Sequence, residues 1–378
     1  PNLAARVQAL AAPGQVVVGE ATRRLLGAGF VLDDLGAQAL KGIAGAVGAF
    51  AVAGERVLAS RFEGRAEGLQ PMVGRDQELS LLMERWAQAE AGEGQAVLLV
   101  GEAGVGKSRI SRALLDALGP ERHTRIRYQC SPYHTGSALW PVIQQLEHAA
   151  RFAAGDTNDA KLDKLEAALG GERVTEATAL IAGLVGLDGA ARYGALELAP
   201  AVRRARTLEA LVGPLLKLAA TRPVLLLIED AHWADPTTLE LLEAWLDAIA
   251  SARVLLVLTS RPDNQPALAA HPHVTRLSLN RLGRAGVEAI VARLGGERLP
   301  AATIDAIIAR TDGVPLYVEE LTKAVLESGD TAVPASLHDS LMARLDRVPE
   351  VKEIAQIAAC IGREFDHALL AAVAERPP

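Results

Sequence analysis

The sequence is poor in cysteine, in aromatic residues and in long apolar runs. Cys130 and Cys360 are the only cysteines in 378 residues, too few for a disulfide framework or a thiolate-rich zinc site. Both read as small buried apolar side chains. Aromatic residues make up 3%, so the core has to be built from Leu, Ala, Val and Ile. No apolar stretch approaches the roughly 18–20 residues that cross a bilayer. The longest, Val224–Ile228 and Val254–Leu258, have the length of buried strands. There is no signal-peptide pattern, so no membrane is expected as a partner and the compartment expected is the cytosol. A basic excess is missing as well. Lys and Arg number 39 against 46 Asp and Glu, a net charge of −7. That balance argues against coating of nucleic acid or anionic membrane and leaves local basic patches only.

Disorder is excluded in turn, because half the residues are hydrophobic and 22% are charged, enough to bury a sizeable core. The length suits two or three domains of roughly 100–200 residues. The chain starts at Pro1 rather than Met and stops at Pro378, shortly after a helical pattern. It reads as a piece of a longer protein.

Residues 1–53 form a small unit. Val16–Val18 and Ala49–Ala53 read as strands, Phe30–Leu35 as an extended piece and Ala21–Leu26 as a short helix. So few residues make a poor isolated core. Residues 54–70, charged and glycine-bearing without periodicity, read as a linker. From Pro71 a larger pattern begins. Asp76 is placed to cap a helix bearing Leu79, Leu82, Met83 and Trp86. Five apolar runs follow: Ala96–Val100, Thr124–Cys130, Val224–Ile228, Val254–Thr259 and Val274–Leu279. Apolar on both faces and separated by helical patterns, they predict an α/β domain over 71–281 with a parallel sheet covered by helices. A mostly helical insert lies at about 138–220. Beyond 281 only helical periodicity remains, predicting a helical lid over 282–333 and a further segment over 334–378.

The first apolar run leads into Gly101-Glu102-Ala103-Gly104-Val105-Gly106-Lys107-Ser108, and an apolar-periodic helix with Ile110, Leu114 and Leu118 follows. Strand, G-x-x-x-x-G-K-[ST] and helix in that order describe a phosphate-binding loop. Its glycines let the main chain fold around an anion, and successive N–H groups point inward. Lys107 is placed to neutralise the β- and γ-phosphates, and the Ser108 hydroxyl to join the Mg²⁺ shell. Arg109 continues the binding segment.

The third run ends in Glu229-Asp230. A metal–triphosphate site uses one carboxylate near Mg²⁺ and often a second to orient the attacking water. Glu229 is assigned to the metal and Asp230 to the water, with the reverse assignment open. The next turn, His232-Trp233-Ala234-Asp235-Pro236, places Asp235 as N-cap and Pro236 at the first helical position; Trp233 reads as packing. The fourth run ends Thr259-Ser260-Arg261-Pro262, where Arg261 is a candidate γ-phosphate sensor through charge-assisted hydrogen bonds.

With these residues in hand, the chain from about 71 to 378 resembles the STAND class of signal-transduction ATPases within the AAA+-like branch of P-loop proteins. The resemblance rests on Val73-Gly74-Arg75-Asp76-Gln77-Glu78-Leu79, the phosphate loop, Cys130-Ser131-Pro132-Tyr133, Ile228-Glu229-Asp230-Ala231-His232-Trp233-Ala234-Asp235, Thr259-Ser260-Arg261-Pro262 and Asp312-Gly313-Val314-Pro315 running on to Leu321. It implies a five-stranded parallel sheet of order 5-1-4-3-2 and an ATP/ADP–Mg²⁺ site. It places Val73, Gly74 and Arg75 against base and ribose, and Pro315 near the adenine, coupling the lid to nucleotide state. It also implies self-association, a downstream repeat domain, and the start of a winged helix from about Ser336 on.

Asn2-Leu3-Ala4-Ala5-Arg6-Val7-Gln8-Ala9-Leu10, Pro13-Gly14-Gln15-Val16-Val17-Val18 and Leu40-Lys41-Gly42-Ile43 resemble the carboxyl end of a class III nucleotide cyclase. Asn2 and Arg6 match the spacing of that family's transition-state-stabilising pair. The family's metal carboxylates would lie upstream, so no cyclase activity is expected from these residues. The reading that follows is a slow, switch-like regulatory ATPase controlling an attached cyclase. Two alternatives stand beside it: a full-length protein whose output is cyclic-nucleotide synthesis, and an ATP-dependent transcription regulator. A small-molecule kinase is a weaker third, lacking an evident acceptor pocket.

Overall fold

The computed structural model describes residues 6–7, 10–11, 15–20, 22–23, 30–39, 46–55, 72–119, 123–153, 155–171, 175–266, 268, 271–295 and 299–328. Asn2, most of the 54–70 linker and the segment 334–378 lie outside them.

The N-terminal strands β1 (Val16–Gly19), β2 (Phe30–Ala39) and β3 (Ala46–Glu55) form an antiparallel sheet of order β1-β3-β2. Val16 pairs with Val52 and Gly19 with Ala49. Its inward residues Ala49 and Ala51 are buried, and Arg6 is an exposed helical residue.

The main sheet consists of β4 (Gln95–Val100), β5 (Thr124–Gln129), β6 (Val224–Glu229), β7 (Val254–Ser260) and β8 (Val274–Ser278), in the order β5-β6-β7-β4-β8. This is the expected 5-1-4-3-2 arrangement. The β5–β6 and β6–β7 ladders are parallel, with Thr124 opposite Val224 and Val224 opposite Val254. Burial follows position in the sheet. Every residue of β6 and β7 is buried, as central strands of a two-sided sheet require. The expectation that all five runs are apolar on both faces fails at β5 and β8. These are the edge strands; they are only partly buried and carry Arg125, Arg127 and Arg276.

Contacts divide the chain into two compact units. The first takes in Leu79–Leu99 and Ser111–Leu277. Helix Asp76–Glu90 buries Leu82, Trp86 and Ala89. It begins at Asp76, which therefore lies in the first turn, where its charge complements the helix dipole, rather than at the cap. The insert between β5 and β6 is helical at Trp140–Ala149, Asn158–Ala168, Glu176–Leu184, Ala190–Tyr193 and Pro200–Thr221. The second unit takes in Met72–Glu78, Val100–Ile110 and the chain from Ser278. Its helices Arg284–Arg293, Ala301–Thr311 and Pro315–Ser328 share a core of Val287, Ile290, Val291, Ile307, Val318, Leu321 and Val325.

Candidate functional site

The phosphate loop leaves β4 at Gly101 and ends in helix Lys107–Leu118. Its three glycines answer to three different constraints. A Cβ on Gly101 would stand 2.6 Å from Val105 Cγ1, so that position needs room. Gly106 has φ +107° with nothing within 4 Å of a Cβ, so it needs only the backbone conformation that side chains disfavour. Gly104 needs both: φ is +79°, and a Cβ would meet Leu316 Cβ at 3.0 Å and Val314 Cγ1 at 3.2 Å.

The loop is built to hold an anion. Gly106 O accepts from Arg109 and Ile110 N–H at 3.1 and 3.0 Å, starting the helix. Among the described residues, the N–H groups of Gly104, Gly106 and Ser108 donate to no main-chain acceptor. Unpaired donors at a helix N-terminus are what a phosphate requires. Lys107, buried, donates to Gly101 O at 2.7 Å and Glu102 O at 2.9 Å. Its ammonium is thus held at the loop's own carbonyls. Ser108 lies half-buried in the first helical turn.

Several groups tie this loop to its neighbours within the second unit. Arg75, buried, donates to Val105 O at 3.3 Å, to Glu78 at 2.8 Å and to Asn280 O. Its guanidinium is therefore occupied in bracing the loop. Gly74 has φ +65°, and Val73 packs against the core of the C-terminal helices. Leu316 N–H donates to Gly104 O at 3.3 Å, so the helix that opens at Pro315 rests on the loop backbone. Arg109 pairs with Glu319 on that helix. Arg281 bridges Glu102, at 2.8 Å, and Asp312.

The acidic strand end belongs to the first unit. Glu229 closes β6, buried, and its carboxylate pairs with Arg127 of β5; both side chains are 9% exposed. The register sets Gln129 opposite Glu229, so Arg127, two residues earlier on the same face, reaches it diagonally. Burial pushes the Glu229 carboxyl above its usual range, with Asp230 adding to the rise, while Arg127 pulls it back. Asp230 has left-handed backbone, φ +54°. Its N–H donates to Thr259 Oγ1 at 2.9 Å, and its carboxylate accepts from Gln129 Nε2 at 3.1 Å. Asp235 is the N-cap, as expected: its side chain accepts from Thr237 and Thr238 N–H at 2.9 and 3.0 Å, and also from Leu139 N–H at 3.2 Å. The Arg261 guanidinium lies over the Trp233 ring, 5.1 Å from its centre, so Trp233 packs, but on the candidate sensor itself. Buried Cys130 has its thiol pushed up to about 12, first by burial and then by Asp230 and Asp235, which agrees with an inert buried side chain.

Sequence reasoning missed Arg127, Gln129, Glu319 and Arg281. One signal for Arg127 and Gln129 was present: Thr124-Arg125-Ile126-Arg127-Tyr128-Gln129 alternates polar and apolar residues, unlike the three central runs. No sequence signal pairs Glu319 with Arg109 across 210 positions. No group of three or more His, Cys, Asp or Glu among the described residues could alone hold a metal. No helix is long and apolar enough to cross a membrane among those residues.

Residues 71–258 match the family model described as AAA ATPase domain. An uncharacterized protein of Rhizobium meliloti (strain 1021) is 31% identical over 390 residues, covering 98% of this chain and 37% of that protein. The chain thus spans little more than a third of that relative's length. A solved STAND protein with a tetratricopeptide repeat sensor from Pyrococcus horikoshii is 14% identical at a TM-score of 0.42, over 82% of this chain and 38% of its own. Strand order, phosphate loop and family match agree: residues 71–258 have the fold of a P-loop NTPase and match the AAA ATPase domain.

Proposed function

We propose that the chain is the ATP-binding switch module of a signal-transduction protein, turning ATP and water into ADP and phosphate slowly. The observation that carries this is the cradle at Gly101–Ser108, with donors left over for an anion and its Gly104 carbonyl bonded to the helix that opens at Pro315. In this reading the main-chain N–H groups bind the phosphates, and Lys107 turns its ammonium from the loop carbonyls to the β- and γ-phosphates. Ser108 and Glu229 are the residues that would hold Mg²⁺, which when bound neutralises phosphate charge. Asp230, oriented by Gln129 and Thr259, positions the water, and Arg261 reads the γ-phosphate. Val73 and Gly74 face the nucleoside, while Arg75 braces the loop. Because Leu316 and Glu319 sit directly on the loop segment, a phosphate that moves Gly104 or Arg109 moves the last helix, which is how two nucleotide states become two conformations.

The domain division follows the same reading: 71–281 ATPase, 282–333 lid, 334–378 the start of a winged helix, with 54–70 as linker. Residues 1–53, with Asn2 and Arg6, are the carboxyl end of a cyclase domain that the switch controls. What supports this reading is that β1, β3 and β2 form a small antiparallel sheet of their own rather than joining the five-stranded one. A cytoplasmic setting, self-association and a downstream repeat domain complete the proposal.

The test is calorimetric titration with ATP in the presence of Mg²⁺. Wild-type protein is expected to bind one ATP per chain, and Lys107→Ala to weaken binding by about 100-fold or more, as loss of a buried charge-assisted contact implies. Equal affinity in the variant overturns the assigned site.

A further inference from the structure

The helical insert contains a cavity of about 780 Å³, in the range of small-molecule sites. It lies within the first unit, and nothing in the ATPase reading uses it. Among the described residues nineteen line it, mostly Leu, Ala and Gly, and none of these is Asp or Glu. The charged residues among them are Arg203 and Arg204, both exposed. Exposed as they are, these arginines also stand at the edge of an apolar chamber.

The walls are held by polar bonds. Asp235 accepts the N–H of Leu139 at 3.2 Å. Tyr193 O–H donates to Glu166 at 2.7 Å. Arg203 donates to Leu196 O at 2.8 Å. Arg204 donates to Thr237 and to Glu240 at 3.2 and 2.7 Å, so its charge is answered from outside the cavity. Among the described residues, Arg203 is bonded to a neutral carbonyl and to no carboxylate, so its charge remains for a ligand. Arg203 closes the first turn of the 22-residue helix Pro200–Thr221 and Arg204 follows it, so the helix dipole adds to the positive edge. A chamber whose walls are tied in this way loses little entropy when filled.

We propose that this cavity binds a small anionic amphiphile, a molecule with a hydrocarbon body and one carboxylate-like end. The body lies against the leucines, and the anion meets the Arg203 guanidinium in a charge-assisted hydrogen bond. A neutral oil lacks the second interaction, and a cationic amphiphile meets like charge.

Gly183 supplies the means of testing it. This exposed glycine lines the cavity, and a Cβ on it meets nothing within 4 Å, so a large side chain there can occupy the chamber's wall without displacing the core. Decanoate, decanol and decyltrimethylammonium, each below its micellar concentration, are titrated into the protein by calorimetry. One decanoate per chain is expected, bound about tenfold or more tighter than either control, the range of one charge-assisted hydrogen bond. Arg203→Met reduces decanoate to the affinity of decanol. Gly183→Phe abolishes decanoate binding, while far-ultraviolet circular dichroism and ATP affinity stay at wild-type values. The proposal is overturned if decanoate fails to bind, if it binds no tighter than the cationic control, or if both variants bind it as wild type does. Because the readout needs no ATP turnover, failure here and failure of the ATPase reading are separate results.

Discussion

Replacing Arg127 by Met tests the account of the acidic strand end most directly. Both side chains of the Arg127–Glu229 pair are 9% exposed, so neither charge is well solvated. Two unit charges about 4 Å apart interact by about 4 kcal/mol at an effective dielectric near 20. Removing one partner of such a pair costs about 3–5 kcal/mol, because the other charge stays buried and uncompensated. In Arg127→Met, Glu229 keeps the burial and the Asp230 charge that raise its pKa and loses the largest influence that lowers it. Its folded-state pKa then lies further above the unfolded value than in wild type. A raised folded pKa means stability that is present at low pH and lost as pH climbs through the folded value.

The variant is therefore expected to lose about 3–5 kcal/mol at pH 8 and about 1–2 kcal/mol less than that at pH 5, where a proton takes over the role of the guanidinium. Urea unfolding followed by circular dichroism at the two pH values measures this. Arg127→Met/Glu229→Met should recover to within about 1 kcal/mol of wild type, since an apolar pair of similar volume replaces a costly ionic one. Recovery is favoured further because Arg127 Nε is buried without a hydrogen-bond partner among the described residues. Identical losses at pH 5 and pH 8, or a double variant as unstable as the single one, would refute the reasoning.

Other outcomes follow from the same geometry. At Gly313, with φ +73°, a Cβ would overlap the Leu282 carbonyl oxygen, so Gly313→Ala should cost about 3 kcal/mol or more by denaturant unfolding, whereas Gly106→Ala, with open space around it, should cost only the left-handed strain of about 1–2 kcal/mol. Asp235→Ala removes a cap and strands the Leu139 N–H, for about 2–4 kcal/mol; Asp235→Asn should lose about half of that in the same measurement. In a Cys360→Ser background, iodoacetamide at pH 8 should label Cys130 only on unfolding, because its thiol is pushed up to about 12; rapid labelling of the native protein contradicts that environment.

Much of the fold was legible because local pattern and global position agree. The three central runs are apolar throughout, since both faces of β4, β6 and β7 are covered. The phosphate loop declared itself through glycines that meet demands of space at Gly101 and of positive φ at Gly104 and Gly106, and Asp235-Pro236 through the chemistry of a helix start. What stayed hidden depends on register and on distant pairing. That Arg127 reaches Glu229 follows only once β5 is set beside β6 in parallel register. Reading β5 as apolar on both faces ignored its alternation, the mark of an edge strand. Arg109 and Glu319, or Arg281 and Glu102, meet through a chain path that no local period encodes.

Gly104 shows how one position can join chemistry to conformation. Its positive φ turns the loop so that neighbouring N–H groups are left for an anion, a demand any residue without a Cβ would meet. The room above it is taken by Val314 and Leu316 at 3.2 and 3.0 Å from where a Cβ would stand, and its carbonyl accepts the Leu316 N–H. Helix Pro315–Ser328 can sit there only because the loop offers bare backbone. A main-chain hydrogen bond has no long, flexible stem to absorb a shift, so the loop and the helix must move together or part. On the reading proposed above, this is the contact through which occupancy of the loop would act on the helix.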